Sequence, residues 1–343
     1  MIPLSSTKVQ TISWQQQLAH ALTDPLELVE TLELPQNLAH EALTAIDSFP
    51  LRVTRDYLSC IHKGDINDPL LRQILPVAAE NQQQQGFVYD PVGDMNASRV
   101  PGLIHKYHGR VLLITTPACA IHCRYCFRRH YPYQESSAHR ENLDQALDLI
   151  ATDKTIHEII LSGGDPLTLS DDRLKTLIAK IEAIEHISTL RIHSRLPVIL
   201  PDRITATLAE MLDRSRLNAV VVIHCNHPNE LSSKVHDRLA RLREKNITLL
   251  NQSVLLNNIN TSANVLIKLS HKLFTAGVLP YYLHTLDPVA GASHFHIDDQ
   301  TAINLHKTVC EKLPGYLVPK LVREIAGLPF KQDARLLENS SEN

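Results

Sequence analysis

Three cysteines within eight positions, Cys119, Cys123 and Cys126, carry the densest chemical signal in the sequence. They read CAIHCRYC, a C-x3-C-x2-C spacing. Three thiolates on one tight loop can cap three irons of a four-iron, four-sulfur cluster, leaving the fourth iron open to a small molecule. A zinc site is the alternative. Structural zinc takes four ligands, commonly from C-x2-C pairs, and His122 or His130 could supply the fourth. A disulfide framework does not fit, because six cysteines in 343 residues are too few and three of them cluster. Cys60, Cys225 and Cys310 read as buried thiols.

A loop of this kind needs a scaffold that aims it. Strand-like runs occur at 110–116, 158–163, 189–194, 219–225, 247–256 and 279–284, with helical stretches such as 171–184 and 234–246 between several of them. Each strand–helix unit has the size of a βαβ unit. The strands are near-continuous Val/Ile/Leu runs, which predicts burial on both faces. Six units in a row predict an α/β fold, a partial parallel (β/α)6 barrel over 106–331. Residues 1–105 read as a helical N-terminal region. Asp24-Pro25 caps a helix there, 54–65 reads as a helix stopped at Gly64, and the turn-rich 90–102 reads as a linker. The stretch 332–343 reads as a polar tail.

Polar residues gather where the strands end. Cys119 follows the first strand, Gly163–Asp165 the second, Ser194–Arg195 the third and His224–His227 the fourth. Asn251 and Gln252 fall late in the fifth, and Asp287 follows the sixth. Barrel enzymes build their active sites at these ends, so all six point to one mouth.

Bulk properties narrow the function. A net charge of −3 offers no electrostatic footprint for nucleic acid or an anionic membrane. Aromatic residues, at 5%, are too scarce for a stacking platform on single strands. No apolar run is long enough for a membrane span, and the N-terminal residues do not form a secretory signal. The expected location is the cytoplasm, where thiols stay reduced.

Ser162-Gly163-Gly164-Asp165-Pro166 comes one strand after the cysteines. Together the two motifs resemble the radical S-adenosylmethionine superfamily. In that superfamily the open iron binds the methionyl group, and one electron releases a 5′-deoxyadenosyl radical. The glycine-rich element, here Ser162, Gly163, Gly164 and Asp165, is implied to meet the methionyl amine. The resemblance narrows further from 107 to 331. Tyr107 and Arg110, then CRYCFRR, SGGDPL, RIHSRLPV, HCNHPNE, NQSVLLNNIN and PYYLHTLDPVAGASHF follow in order. This series looks like the lysine 2,3-aminomutase family, and is most similar to its shorter branch, which makes β-lysine for elongation factor P.

That resemblance implies three cofactors: a 4Fe-4S cluster, S-adenosylmethionine and pyridoxal 5′-phosphate. Lys331 is implied as the Schiff-base lysine, with Lys320 the runner-up, and Tyr107 and Arg110 as further contacts of the pyridoxal phosphate. Arg128 is implied to meet the substrate lysine's carboxylate. Asp287 and Glu324 are implied to meet its ammonium, Glu324 standing where the longer branch has aspartate. His224 and Gln252 are implied near the adenosyl group. Asn226 and His227 could contact it too or orient the mouth. The implied partners are an electron donor such as a flavodoxin or ferredoxin, and the ligase that attaches β-lysine to elongation factor P. Two rivals remain on the motifs alone: a radical enzyme without pyridoxal phosphate that modifies RNA or protein, and a non-catalytic metal-binding protein.

Overall fold

The computed structural model describes residues 12–46, 49–136 and 140–336. The first residues of the stretch read for a secretory signal, and the tail from 337 onward, lie outside these.

A single sheet organises the chain. Among the described residues it has ten strands in chain order. They are β1 (Ser98–Val100), β2 (Leu103–Tyr107), β3 (Arg110–Ile114), β4 (Glu158–Ser162), β5 (Thr189–Ser194), β6 (Asn218–His224), β7 (Ile247–Val254), β8 (Leu279–His284), β9 (Lys320–Arg323) and β10 (Gln332–Asp333). From β3 to β9 every neighbouring pair is parallel. The six expected strands are β3 to β8. A seventh, β9, extends the parallel run by pairing Tyr282 with Lys320 and His284 with Val322. Short antiparallel pairs finish both edges.

The expectation that both strand faces are packed with apolar side chains needs correction. Strand β5 alternates: Leu190, Ile192 and Ser194 are buried, while Thr189, Arg191 and His193 are only partly so. The buried set joins the core with apolar residues of the helices, including Leu174, Leu177, Ile178 and Ile181 of Asp171–Glu182. The other set faces the barrel interior, where Glu158, Ile160, Ser162, Arg191, His193, Leu250 and Gln252 line a cavity. Side chains alternate across a strand, so one register supplies the core and the other supplies chemistry.

Local signals account for the helices. Asp24 accepts the Leu26 N–H at 2.9 Å ahead of the helix Pro25–Thr31, as the cap and first-turn proline predict. Ser170 and Ser232 cap Asp171–Glu182 and Ser233–Arg243 in the same way. The helix expected over 54–65 is one turn long, Arg55–Leu58. Asp68 ends it by accepting the N–H groups of His62 at 3.0 Å and Leu70 at 2.7 Å, which bends the chain away. Gly64 keeps its left-handed φ of +75° and donates to Leu32 O at 2.8 Å.

The stretch read as a linker has more structure than its turn formers suggest. It holds β1 and the turn around Gly93, and Val88 bridges to Val289 beside Asp287. The N-terminal helices share one hydrophobic core with the barrel: Leu28, Val29, Ala39 and Tyr57 lie in the same cluster as Leu196, Ile199 and Ile223.

Candidate active site

The chain leaves β3 through Thr115 and Thr116 and enters the cysteine loop. The loop after β4 is stapled to it. Gly164 N–H donates to Thr116 O at 2.7 Å, and Asp165 N–H to Ala118 O at 2.8 Å. The contact explains both glycines. A Cβ on Gly163, whose φ is +124°, would lie 2.8 Å from Thr116 O, and one on Gly164 would lie 2.3 Å from Ala118 O. Asp165 is buried with both oxygens engaged. One accepts from Ser194 Oγ at 2.7 Å and Leu167 N at 3.0 Å, the other from Arg195 N at 2.7 Å and Leu196 N at 3.2 Å. It ties the exit of β4 to the end of β5. Burial outweighs these bonds and raises its carboxyl to about 6.

Arginines fix the loop from the other side. Arg124, between two of the cysteines, is fully buried and forks onto Glu80 at 2.8 and 2.5 Å. Arg129 adds a contact to Glu80 at 2.7 Å and another to Gly291 O at 3.0 Å. Arg195 donates to Cys123 Sγ at 2.7 Å and is held by Gln73 at 2.7 Å and Glu230 at 3.2 Å. Burial pushes the Cys126 thiol up to about 11, with Cys123 adding to the rise. Burial raises Cys119 well above its ordinary value too, and Cys126 and Asp165 add to it. His122 and His130, the possible zinc ligands, hydrogen-bond the carbonyls of Pro50 at 2.8 Å and Ala290 at 3.0 Å.

A second group of residues gathers around Glu324, just past β9. The two-residue turn His108-Gly109 sets Tyr107 opposite Arg110, whose guanidinium lies over the Tyr107 ring at 4.7 Å. Lys331 pairs with Glu324, and Lys106 reaches Glu324 at 2.8 Å. Burial works to raise the Glu324 carboxyl, but Lys331 and Lys106 outweigh it and hold it at about 2. Asp287 has the opposite fate. Burial and then the Glu324 charge push it up to about 7. Arg128 donates to Asp94 at 2.6 Å and to Ser162 Oγ at 3.2 Å.

Both groups line one cavity of about 1270 Å³. It brings together Cys119, Cys123, Cys126, Ser162 to Asp165, Arg128, His224, Gln252, Asp287, Glu324, Lys331, Tyr107 and Arg110. Gln252 Nε2 and His224 Nε2 lie 2.8 Å apart, and burial drives His224 down to about 3, so its ring is neutral. Asn226 also lines the cavity, but its amide is bonded to Tyr125, Gln73 and Val254. His227 caps a turn by accepting from Asn229 N at 3.2 Å. Lys320 is exposed on β9 and does not line the cavity. Sequence reasoning missed Asp94 and Lys106, hidden in the turn-rich stretch and beside Tyr107, and Arg191, which pairs with Glu158 at 2.7 Å inside the cavity.

Comparison with known proteins places the chain. Residues 113–260 match the radical SAM superfamily. L-lysine 2,3-aminomutase of Haemophilus influenzae is 46% identical over 93% of this chain and 94% of that protein. The Escherichia coli protein of the same name is 47% identical over 93% of each. The one from Clostridium subterminale is 35% identical over 92% of this chain and 76% of its own length. The chain belongs to the lysine 2,3-aminomutase family.

Members of this family work with a 4Fe-4S cluster, S-adenosylmethionine and pyridoxal phosphate, and the residues present suit all three. The raised thiols of Cys119 and Cys126 are poor as free anions and become favourable when a cation neutralises them. Among the described residues, no three His, Cys, Asp or Glu side chains converge on one metal ion. A cluster asks instead for one thiolate per iron along a common loop. Arg191 Nε, Arg195 Nε and His193 Nε2 are buried in or beside the cavity with no hydrogen-bond partner among the described residues, as expected of a pocket built for a polar guest. Lys331 and Arg110 lie in the same space as an amine and a cationic clamp for a phosphorylated aldehyde.

Proposed function

We propose that this chain isomerises L-lysine to β-lysine by radical migration of the amino group from C2 to C3, and that the product goes to the ligase that modifies elongation factor P. One observation carries the reading: the cysteine loop and the Lys331–Glu324–Asp287 group open into a single cavity.

When bound, the cluster and S-adenosylmethionine supply a carbon radical, and pyridoxal phosphate supplies an electron-accepting ring. The chain's own residues divide the rest. Cys119, Cys123 and Cys126 would hold the cluster, with Ser162, Gly163, Gly164, Asp165, His224 and Gln252 around the S-adenosylmethionine. Lys331 would anchor the pyridoxal ring, Arg110 its phosphate, and Tyr107 the space between. Arg128 meets the substrate's carboxylate, because a guanidinium matches that group edge to edge. Asp287 and Glu324 receive its far ammonium. Fixing both ends of lysine sets one C–H beside the radical carbon, and the barrel walls keep water away from it. The hydrogen removed from C3 is returned after migration, so the reaction consumes no net electron. A flavodoxin or ferredoxin would supply the electron that starts it.

The test is anaerobic. The full chain is reconstituted with iron and sulfide, then given pyridoxal phosphate, S-adenosylmethionine, a reductant and lysine. β-Lysine in the products, read by chromatography and mass spectrometry, is the expected outcome. If 5′-deoxyadenosine forms without β-lysine, the radical assignment stands and the lysine assignment falls.

A further inference from the structure

We propose that Asp94, from the turn preceding the barrel, is a positioning residue that aims the Arg128 guanidinium at the substrate's carboxylate. The inference rests on the reading of Arg128 given above.

The geometry is specific. Arg128 Nε donates to Asp94 Oδ2 at 2.6 Å, and Nη1 donates to Ser162 Oγ at 3.2 Å. Held at Nε and Nη1, the guanidinium can rotate little, and Arg128 lines the cavity. Asp94 itself is 1% exposed. Its other oxygen forms an ion pair with Lys106 at 2.5 Å. Lys106 in turn binds Val92 O at 2.8 Å and Glu324 at 2.8 Å. The turn is held from behind, since Asp90 accepts the N–H groups of Asp94 at 2.9 Å and Met95 at 3.0 Å. Gly93 sits so close to the loop after β9 that a Cβ there would lie 3.1 Å from the Ala326 Cβ.

The result is a largely buried chain of alternating charge, with Asp94 fully enclosed and the others partly so: Arg128, Asp94, Lys106, Glu324, Lys331. It runs from the residue for the substrate's carboxylate to the residue for the cofactor. Burying so many charges is unfavourable unless each has a fixed partner. Burial opposes ionisation of Asp94, but Arg128 and Lys106 outweigh it and hold the carboxyl below its usual range. Neutralising Arg128 alone would not need Lys106 or the capped turn. Holding its direction does.

The test compares two ligands on the full chain loaded with pyridoxal phosphate: L-lysine, and 1,5-diaminopentane, which keeps both amines and has no carboxylate. General loosening of the site weakens both alike, whereas loss of aim at the carboxylate weakens only lysine. Asp94→Asn is expected to lower the preference for lysine about tenfold, the size of one charge-assisted hydrogen bond. Asp94→Glu keeps the charge and shifts the carboxylate by one methylene. It should lower the preference in the same direction, and it decides the matter if the asparagine variant does not fold. An unchanged or increased preference in a folded Asp94 variant overturns the proposal. Arg128→Lys separates the two readings. If it lowers the preference while Asp94→Asn does not, Arg128 keeps its role and Asp94 loses its own. If neither variant changes it, the carboxylate reading of Arg128 fails as well.

Discussion

Glu324 and Asp287 are both partly buried carboxyls in one cavity, yet their ionisation diverges: Lys331 and Lys106 form ion pairs with Glu324, whereas at Asp287 burial and the Glu324 charge outweigh the same two lysines. Asp287 sits at about 7, so it carries a proton over much of the range in which Glu324 is charged. On the role proposed for Asp287, an incoming ammonium favours the ionised form and must displace that proton. Lysine affinity therefore rises as pH increases toward 7 and levels above it, with a limiting slope of about tenfold per pH unit. Equilibrium binding on either side of neutrality checks this, and Asp287→Asn should flatten the profile. Stability of the ligand-free chain moves the other way. The folded state holds the Asp287 proton longer than the unfolded state does, so this group's contribution declines as pH climbs from the ordinary carboxylate value to about 7. Lys331→Ala should abolish the visible absorbance of bound pyridoxal phosphate and leave the iron content intact. Absorbance that persists would move the anchor to another lysine. The cysteines, Lys331 and Asp287 were legible in the sequence as residues of one shared cavity, because their neighbours form ordered motifs. Asp94 and Lys106 were not, since their importance lies in a contact across the fold and no local pattern announces it.

At the level of elements, the cysteine loop depends on the turn after β4. Replacing Gly164 by alanine places a methyl group 2.3 Å from a backbone oxygen, which must move. Overpacking of this kind costs about 1–3 kcal/mol. Because the displaced atom is Ala118 O, one residue before Cys119, Gly164→Ala should retain less iron per chain while far-ultraviolet circular dichroism stays unchanged. Equal iron retention would show that the loop relaxes freely. The six strands β3 to β8 were readable from their apolar runs and from the polar residues at their ends. β9 escaped because KLVR is only four residues and carries charge at both ends, and it earns its place by pairing with β8. The one-turn helix at Arg55–Leu58 shows a tertiary contact overriding a helical pattern, since Asp68 takes the His62 N–H that a longer helix would use.

Across the whole molecule, the N-terminal region and the barrel are joined by charge as well as by apolar packing. Glu80 comes from the short turn Ala78–Asn81 and binds Arg124 and Arg129 of the cysteine loop, all three with almost no exposure. Removing one partner of a buried ion cluster costs about 3–5 kcal/mol. Glu80→Gln should lower stability by about that amount in urea unfolding and loosen the cysteine loop at the same time. A loss well below about 1 kcal/mol would mean that water or other groups replace the carboxylate. Among the described residues, no helix is long and apolar enough to cross a membrane.

The strands lie in the sheet in the order in which they occur in the chain, and this gives the molecule a schedule. During synthesis the three thiols leave the ribosome with only β1 to β3 made, whereas Glu324 and Lys331 emerge after β9. A nascent chain halted after β6 would already hold Cys119, Cys123 and Cys126 and would still lack Glu324 and Lys331. The proposed sulfur ligands are therefore complete long before the proposed lysine for the vitamin-derived cofactor is made.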